Sequence, residues 1–79
     1  MMAGQPSWAD ELEALLRARH EAGEVFTSDD AYALIPELLH TRPDARNVEA
    51  RVRDALQQLK HRGRVEFLSK KGTYRLRAR

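Results

Sequence analysis

The feature that most constrains this chain is a change in the spacing of its apolar residues at Gly63. Between Asn47 and Arg62 the apolar residues recur at helical spacing, so one face of a helix would pack against a core. These residues are Val48, Val52, Ala55, Leu56 and Leu59. Gly63 follows, and glycine is favoured just after a helix because it readily adopts a positive φ. The sequence therefore predicts a helix over residues 47–62, with Asn47 as its N-cap.

A two-residue period replaces the helical spacing after Gly63. Val65 and Phe67 alternate with polar residues, and Tyr74 and Leu76 do the same further on, which is the pattern of two β-strands. Residues 70–72, Lys-Lys-Gly, separate the strands and are typical of a turn. A basic helix followed by a basic hairpin (64–77) is the second half of a winged helix, with Tyr74 directed into the core.

The length and composition of the chain narrow the possibilities further. Seventy-nine residues suit one domain, which we expect over residues 7–79 after a disordered tail over residues 1–6. The absence of cysteine excludes disulfides and thiolate metal sites. No apolar run approaches the roughly 18 residues of a membrane span, and the N-terminus lacks the pattern of a signal peptide. We therefore expect a cytoplasmic protein with no membrane contact.

Charge is distributed very unevenly along the chain. Residues 1–40 hold two basic and eight acidic residues, whereas residues 41–79 hold twelve basic and four acidic ones. The basic half coincides with the predicted helix and hairpin, and such segregation favours a polyanionic partner. The alternative is that the charges only keep the surface hydrated.

Another helix is predicted near the N-terminus. Apolar residues recur at helical spacing from Trp8, so helix one should run to about Ala22 and end at Gly23. Ser7 is a candidate N-cap, because Asp10 follows three residues later and acidic residues are favourable in a first turn.

A short strand and a second helix are predicted next. Residues 25–26 form a very short extended segment that can supply a third strand beside the hairpin. Thr27, with Asp30 three residues later, marks the start of helix two. Pro36 cannot lie inside a regular helix without the loss of a hydrogen bond, so helix two should end or kink near Leu34. The predicted fold class is α+β: a winged helix-turn-helix of three helices with a C-terminal two- or three-stranded β wing.

The surface of the third helix carries candidate contacts to nucleic acid. A helix in the major groove contacts bases mainly through its N-terminal half, which here holds Asn47, Arg51, Arg53 and Gln57. Arginine can pair bidentately with guanine, and asparagine or glutamine with adenine. The alternative is that the arginines touch only phosphates, or pair with acidic residues of the same helix. The candidate DNA-binding residues on this helix are Asn47, Arg51, Arg53, Asp54, Gln57, Lys60 and His61.

The hairpin supplies the remaining candidates, which are Ser69, Lys70, Lys71 and Arg75. Lysines at the tip of a wing can reach a neighbouring groove or its phosphates, and they also protect exposed strand edges from pairing. Either role would place the same residues at the tip.

Nothing in the sequence points to catalysis. His20, His40 and His61 lie at no recognisable metal-ligand spacing, and we expect them to face solvent. There is no glycine-rich phosphate loop, and so small a core leaves little room for a preorganised pocket. We therefore expect no enzyme activity, no metal and no cofactor.

Two stretches of the chain carry a family resemblance. They read FTSDDAYALIPELL and RPDARNVEARVRDALQQLKHRGRVEFLSKKGTYRL. The matching features include Phe26-Thr27, Asp30, Tyr32, Pro43, Val52-Arg53, Leu56-Gln57, Leu59, Gly63, residues 65–68, Gly72 and Tyr74. With these features, residues 25–77 resemble the C-terminal winged-helix domain of restriction endonucleases that cut adenine-methylated DNA, the DpnI-like or Dam-replacing family.

The resemblance implies a domain that binds the recognition sequence in duplex DNA. The residues that it would place at the groove or on the wing are Asn47, Arg51, Arg53, Asp54, Gln57, Lys70 and Lys71. In that family the domain is attached to a nuclease domain, for which 79 residues leave no room. We therefore expect a free-standing DNA-binding module that does not cleave DNA.

Three functions remain compatible with these residues. The one we favour is sequence-specific binding of double-stranded DNA, with helix 47–62 in the major groove beside the basic wing (64–77). Such a protein could act as a small transcriptional regulator, as a homodimer, or as a binding module beside a partner enzyme. The second is a winged-helix protein-interaction module, and the third is a non-catalytic subunit of a nucleic-acid enzyme.

Overall fold

Helices and strands follow one another in the predicted order in the structure, a computed structural model that describes residues 7–69 and 72–78. The elements are α1 (Trp8–Arg19), β1 (Val25–Thr27), α2 (Ser28–Tyr32), α3 (Ile35–Thr41), α4 (Val48–His61), β2 (Val65–Ser69) and β3 (Thr73–Leu76). The α+β winged helix-turn-helix is thereby confirmed, with α2 and α3 together forming the second of its three helical units. The predicted tail (1–6) and the predicted wing-tip contacts Lys70 and Lys71 lie outside the described residues.

The helix α4 forms where the apolar spacing predicts it. Four residues of its apolar face, Val52, Ala55, Leu56 and Leu59, are at most 1% exposed. Gly63 follows the helix with a φ of 74°, and the amide of Arg64 donates to the carbonyl oxygen of Leu59 at 2.8 Å. The positive φ at Gly63 therefore turns the chain from the helix into the wing, as predicted.

The helix α1 begins at the predicted N-cap but ends at Arg19 rather than near Ala22. The Ser7 hydroxyl accepts a hydrogen bond from the Asp10 amide at 3.1 Å. At the other end His20 is extended, and its ring stacks on Phe26 with the ring centroids 5.7 Å apart. His20 is therefore only partly exposed, and not fully solvent-facing as expected, because its ring stacks on Phe26.

The second predicted helix is present as two short helices. Thr27 and Asp30 form a capping box at the start of α2, with hydrogen bonds of 2.9 and 3.2 Å between each side chain and the other residue's amide. The helix α3 begins at Ile35 with Pro36 in its first turn, where the missing amide proton of proline costs no helical hydrogen bond. The predicted break near Leu34 is thus confirmed.

The three strands form an antiparallel sheet in the order β1-β3-β2, so the last strand of the chain is its centre. The ring of Tyr74 on β3 lies between Phe26 on β1, with centroids 5.5 Å apart, and Phe67 on β2, with centroids 5.4 Å apart. Tyr74 is 8% exposed, which confirms its predicted inward orientation. The third strand predicted at residues 25–26 is also confirmed.

The core lies between the helices and one face of this sheet. Its largest fully buried side chains come from every layer: Phe26, Leu12, Leu16, Leu38, Leu56, Leu59, Leu76, Val52 and Val65. Burial of each such side chain stabilises the fold by about 1.5–3 kcal/mol relative to exposure. The packing fixes α4 on its apolar side and leaves the opposite side of the helix exposed.

Candidate nucleic-acid interface

The outer face of α4 displays most of the predicted contact residues. Asn47, Arg51, Arg53, Asp54, Gln57, Lys60 and His61 are all exposed. The buried face of the same helix fixes where they point, because side chains three and four residues apart share one side of a helix. The structure therefore gathers these seven residues on one continuous surface, which we call the outer face.

The N-terminal end of α4 differs from the prediction in one respect. Asn47 occupies the N-cap position, but its φ of 54° is left-handed and its side chain makes no capping hydrogen bond. Asn47 is therefore the N-cap that the sequence predicts, but a left-handed backbone and not a side-chain hydrogen bond turns the chain into the helix. The first turn of a helix carries amide donors without helical partners and the positive end of the helix dipole.

Two clefts flank this end of the helix. One, of about 390 Å³, is lined by Asn47, Val48, Glu49, Ala50 and Arg53. The other, of about 340 Å³, is lined by Trp8, Thr41, Arg42, Pro43, Asp44, Ala45, Arg46 and Arg51; we call it the Trp8 cleft. Because Arg51 and Arg53 are two residues apart, they point about 200° apart around the helix. The two clefts thus lie on different flanks of the same helical turn.

Ion pairs remove several cations of the basic half from this interface. Carboxylates of α1 pair with arginines beyond residue 40: Glu11 with Arg42, Asp10 with Arg62 at 2.9 Å, and Glu13 with Arg64 at 3.4 Å. The Arg42 pair is the most enclosed of the three, since its side chains are 12% and 16% exposed. Part of the charge segregation in the sequence therefore joins α1 to the rest of the fold.

The cations left without such a pair lie mainly near α4. Within residues 7–69 and 72–78, no carboxylate forms an ion pair with five cationic residues, which are Arg46, Arg51, Arg53, Lys60 and Arg77. Arg51 and Arg53 are on the outer face, and Arg46 is in the loop just before it. Three of these five cations of the described residues therefore lie in the N-terminal half of α4 or just before it, whereas Lys60 is on the last turn of α4 and Arg77 follows β3.

The wing continues this surface with a mixed character. The Lys60 ammonium lies 5.4 Å from the centre of the Phe67 ring, a cation–π contact that links α4 to β2. Phe67 and Leu68 are 41% and 37% exposed, and Leu68 is the extra residue of a β-bulge between Phe67 and Ser69. Ser69 is exposed at the end of β2. The predicted contacts Lys70 and Lys71 lie outside the described residues.

Arg75 is placed differently from the other predicted contacts. It is exposed on the central strand β3, where its guanidinium lies 3.5 Å from the Glu66 carboxylate on β2. This cross-strand pair partly compensates its charge. The structure thus brings Arg75 to the sheet and not to the outer face of α4.

The Trp8 cleft adds residues that the sequence interpretation did not select. Trp8 belongs to α1, far from α4 in the sequence, and its ring carries the Arg42 guanidinium 4.8 Å from its centre. Arg46 looked like a turn residue, because Pro43 and Asp44 precede it. The only sequence signal that could have marked Arg46 as a site residue was its positive charge, just before the start of the predicted helix.

Two titratable groups, both away from the outer face of α4, have shifted pKa values. Hydrogen bonding with the Ser7 side chain, reinforced by the nearby Arg62 guanidinium, lowers the pKa of the Asp10 carboxyl below its usual value. Burial raises the pKa of the Tyr74 phenol above its usual value. Asp10 lies on α1 and Tyr74 in the core, so neither shift belongs to the outer face of α4.

The described part of the chain contains neither a candidate metal cluster nor a candidate membrane-spanning helix. No group of three or more His, Asp or Glu side chains within it is arranged to hold a metal ion. No helix there is long and apolar enough to span a membrane.

Comparison with known proteins places this arrangement in a family. The family model described as the Dam-replacing helix-turn-helix domain matches residues 13–76, which include all seven helices and strands except residues 8–12 of α1. No individual curated protein and no solved structure matched the chain.

Proposed function

Because the chain belongs to the Dam-replacing helix-turn-helix domain family, we propose that it binds double-stranded DNA with a preference for particular sequences, using α4 as the recognition helix. The dimensions of the helix support this role. Fourteen residues make a rod about 21 Å long and 10–12 Å across, and the major groove is about 12 Å wide. The middle of the outer face then meets the bases. Its two margins, which carry Arg51 and Arg53, lie beside the two phosphate backbones.

The observation that carries the proposal is where the unpaired cations lie. The carboxylates of α1 compensate Arg42, Arg62 and Arg64, whereas Arg51 and Arg53 have no carboxylate partner among the described residues. A surface used only for hydration would not need three of the five unpaired cations of the described residues at one end of one helix. A polyanion with two parallel lines of charge, such as duplex DNA, suits arginines on both flanks.

Roles within the site follow from side-chain chemistry. Asn47, Arg51, Arg53 and Gln57 are assigned to base edges or the adjacent phosphates, since bidentate pairs need planar donor groups. Lys60, His61, Ser69, Lys70 and Lys71 are assigned to the backbone, which fixes position without reading sequence. In this proposal the protein acts as a small regulator or as a binding module beside a partner enzyme.

A salt titration tests the proposal directly. Binding of a fluorescently labelled duplex should give a log affinity that falls linearly with log salt, with a slope of about −0.9 for each phosphate contacted. We expect about four to six contacts for one domain. Replacing Arg51 and Arg53 together by alanine should make the slope shallower by about two, whereas Arg19→Ala, which removes an exposed charge of α1 that pairs with Glu37, should leave it unchanged.

A second candidate function has one observation in its favour. Phe67 and Leu68 are exposed side by side on β2, an edge strand of the sheet, and exposed apolar pairs suit protein contacts. A protein-interaction module, including a non-catalytic subunit of a nucleic-acid enzyme, would use this edge. Duplex binding that is absent or insensitive to salt, together with a partner lost on Phe67→Ser, would favour that function over DNA binding.

A further inference from the structure

We propose that the Trp8 cleft binds a backbone phosphate of duplex DNA, on the DNA strand that borders one side of α4. The inference rests on the proposed DNA binding and adds a contact site made by α1 and the loop between α3 and α4. Its cationic residues are Arg42, Arg46 and Arg51. Asp44 also lines the cleft and opposes an anion there, so the net charge of the lining favours a single phosphate group.

One wall of the cleft is held in place by internal contacts. The Glu11 carboxylate accepts hydrogen bonds from Arg42 and, at 2.7 Å, from the Thr41 hydroxyl. The Arg42 guanidinium also lies over the Trp8 ring. These contacts hold Arg42 in place as one wall of the cleft, and Glu11 compensates its charge. The attraction for an anion therefore comes from Arg46 and Arg51.

The other wall is the start of the recognition helix itself. Arg51 is exposed on the first turns of α4, and Arg46 is exposed in the loop before it. Neither has a carboxylate partner within the described residues. A guanidinium can give two parallel hydrogen bonds to phosphate oxygens. Two such groups in one cleft therefore form a clamp for a phosphate that lies beside the helix.

The position of Trp8 provides a built-in reporter. It is the only tryptophan in the sequence, it is partly buried, and it lines the cleft. A phosphate that enters the cleft changes the electrostatic environment of the indole, whereas a contact confined to the outer-face residues other than Arg51 leaves Trp8 untouched.

The experiment follows Trp8 emission and duplex anisotropy in the same titration of the full chain. We expect Trp8 emission to change in parallel with binding. In Arg46→Gln the emission change should shrink and the salt slope should become shallower by about one. The matched control is Arg19→Gln, which removes the same charge at an exposed site at the far end of α1 from Trp8, where Arg19 pairs with Glu37, and should resemble the parent protein.

A modified duplex identifies the phosphate. Neutral methylphosphonate linkages are introduced one at a time beside the bound site. At one linkage the substitution should weaken binding by the parent protein but not by Arg46→Gln, because that variant has already lost the contact. A linkage with this property confirms the clamp. If every linkage weakens both proteins equally, the clamp is wrong.

The remaining outcomes separate the inference from the proposed function. If the duplex binds by anisotropy and Trp8 emission stays constant, DNA binding stands and the cleft has no phosphate. If no duplex binds at any salt concentration, both fail. Inorganic phosphate and dAMP are titrated as free anions; a saturable emission change with either, but none with duplex, would make the cleft a free-anion site and overturn the backbone assignment.

Discussion

The amide of Ser28 donates a hydrogen bond to the carbonyl oxygen of Gly72 across 2.8 Å. This bond joins the first residue of α2 to the turn of the wing. Gly72 has a φ of 79°, and a Cβ added there would lie 2.5 Å from the Ser28 hydroxyl oxygen and 3.3 Å from its Cβ. The wing therefore rests against the start of α2 at a point where only glycine fits without adjustment.

Gly72→Ala should consequently destabilise the fold more than Gly63→Ala. Both glycines have a positive φ, but nothing lies within 4 Å of a Cβ at Gly63. Backbone strain alone should cost about 1–2 kcal/mol in Gly63→Ala, and crowding against Ser28 should add about 1 kcal/mol in Gly72→Ala. Urea unfolding measures both free energies. Equal losses in the two variants would mean that Ser28 moves aside freely.

Arg53→Ala should weaken binding to a preferred duplex by about 1–3 kcal/mol more than binding to a scrambled duplex. Arg53 is exposed, lines the cleft beside Asn47, and has no carboxylate partner in the described part of the chain. The preferred sequence is first selected from a random duplex pool, with and without adenine methylation. Equal losses on both duplexes would make Arg53 a phosphate contact.

Lys71→Ala is the counterpart to Arg53→Ala. If this lysine touches only the backbone, the variant should weaken both duplexes about equally and make the salt slope shallower by about one. A thermal melt of each variant serves as the control for folding. If neither Lys71→Ala nor Arg53→Ala changes binding while both remain folded, the binding surface lies away from the helix and the wing.

Glu11→Gln should lower the free energy of unfolding by about 1–3 kcal/mol. The substitution keeps the shape of the side chain but removes the carboxylate that receives Arg42 and Thr41 in a largely buried place. Asp54→Asn is the matched control, since Asp54 is exposed on α4, and it should change stability by no more than about 0.5 kcal/mol. Similar melting temperatures for the two variants would show that the Glu11 contacts add little.

The pKa of Asp10 should rise towards its usual value in Ser7→Ala, and by a smaller amount in Arg62→Gln. The hydrogen bond with Ser7 is the larger cause of the lowered pKa, and Arg62 is the smaller one. Because the folded pKa is the lower one, the contribution of Asp10 to stability is present above the usual aspartate range and is lost as pH falls through the folded pKa. An NMR titration of the carboxyl carbon measures the shift, and an unchanged value in Ser7→Ala would contradict this cause.

Local chemistry was sufficient to predict most of the fold. The caps at Ser7 and Thr27, the break before Pro36 and the change of period at Gly63 each depend on neighbouring residues, and each is present. Asn47 is at its predicted N-cap position, but its left-handed backbone was not predicted, because asparagine suits both an N-cap and a left-handed turn. Nothing local to the residue distinguishes the two.

The division of the cations could not be predicted from the sequence. Arg42 and Arg46 are four residues apart and look equivalent there, yet Arg42 meets Glu11 on α1 while Arg46 meets no carboxylate within the described residues. The difference arises only when α1 packs across α4. Net charge by segment therefore indicated the kind of partner, whereas the packing of α1 decides which side chains remain available to it.

The strand order β1-β3-β2 has a consequence for folding during synthesis. Val25 pairs with Arg75, and Phe26 with Tyr74, so β1 must wait for a strand that the ribosome makes about fifty residues later. At about 5–20 residues per second, this delay lasts roughly 3–10 s. Until then the Phe26 ring lacks its stacking partner on β3, the ring of Tyr74. A nascent chain arrested before Thr73 should therefore stay sensitive to protease, and protection should appear in one step once Leu76 has left the ribosome.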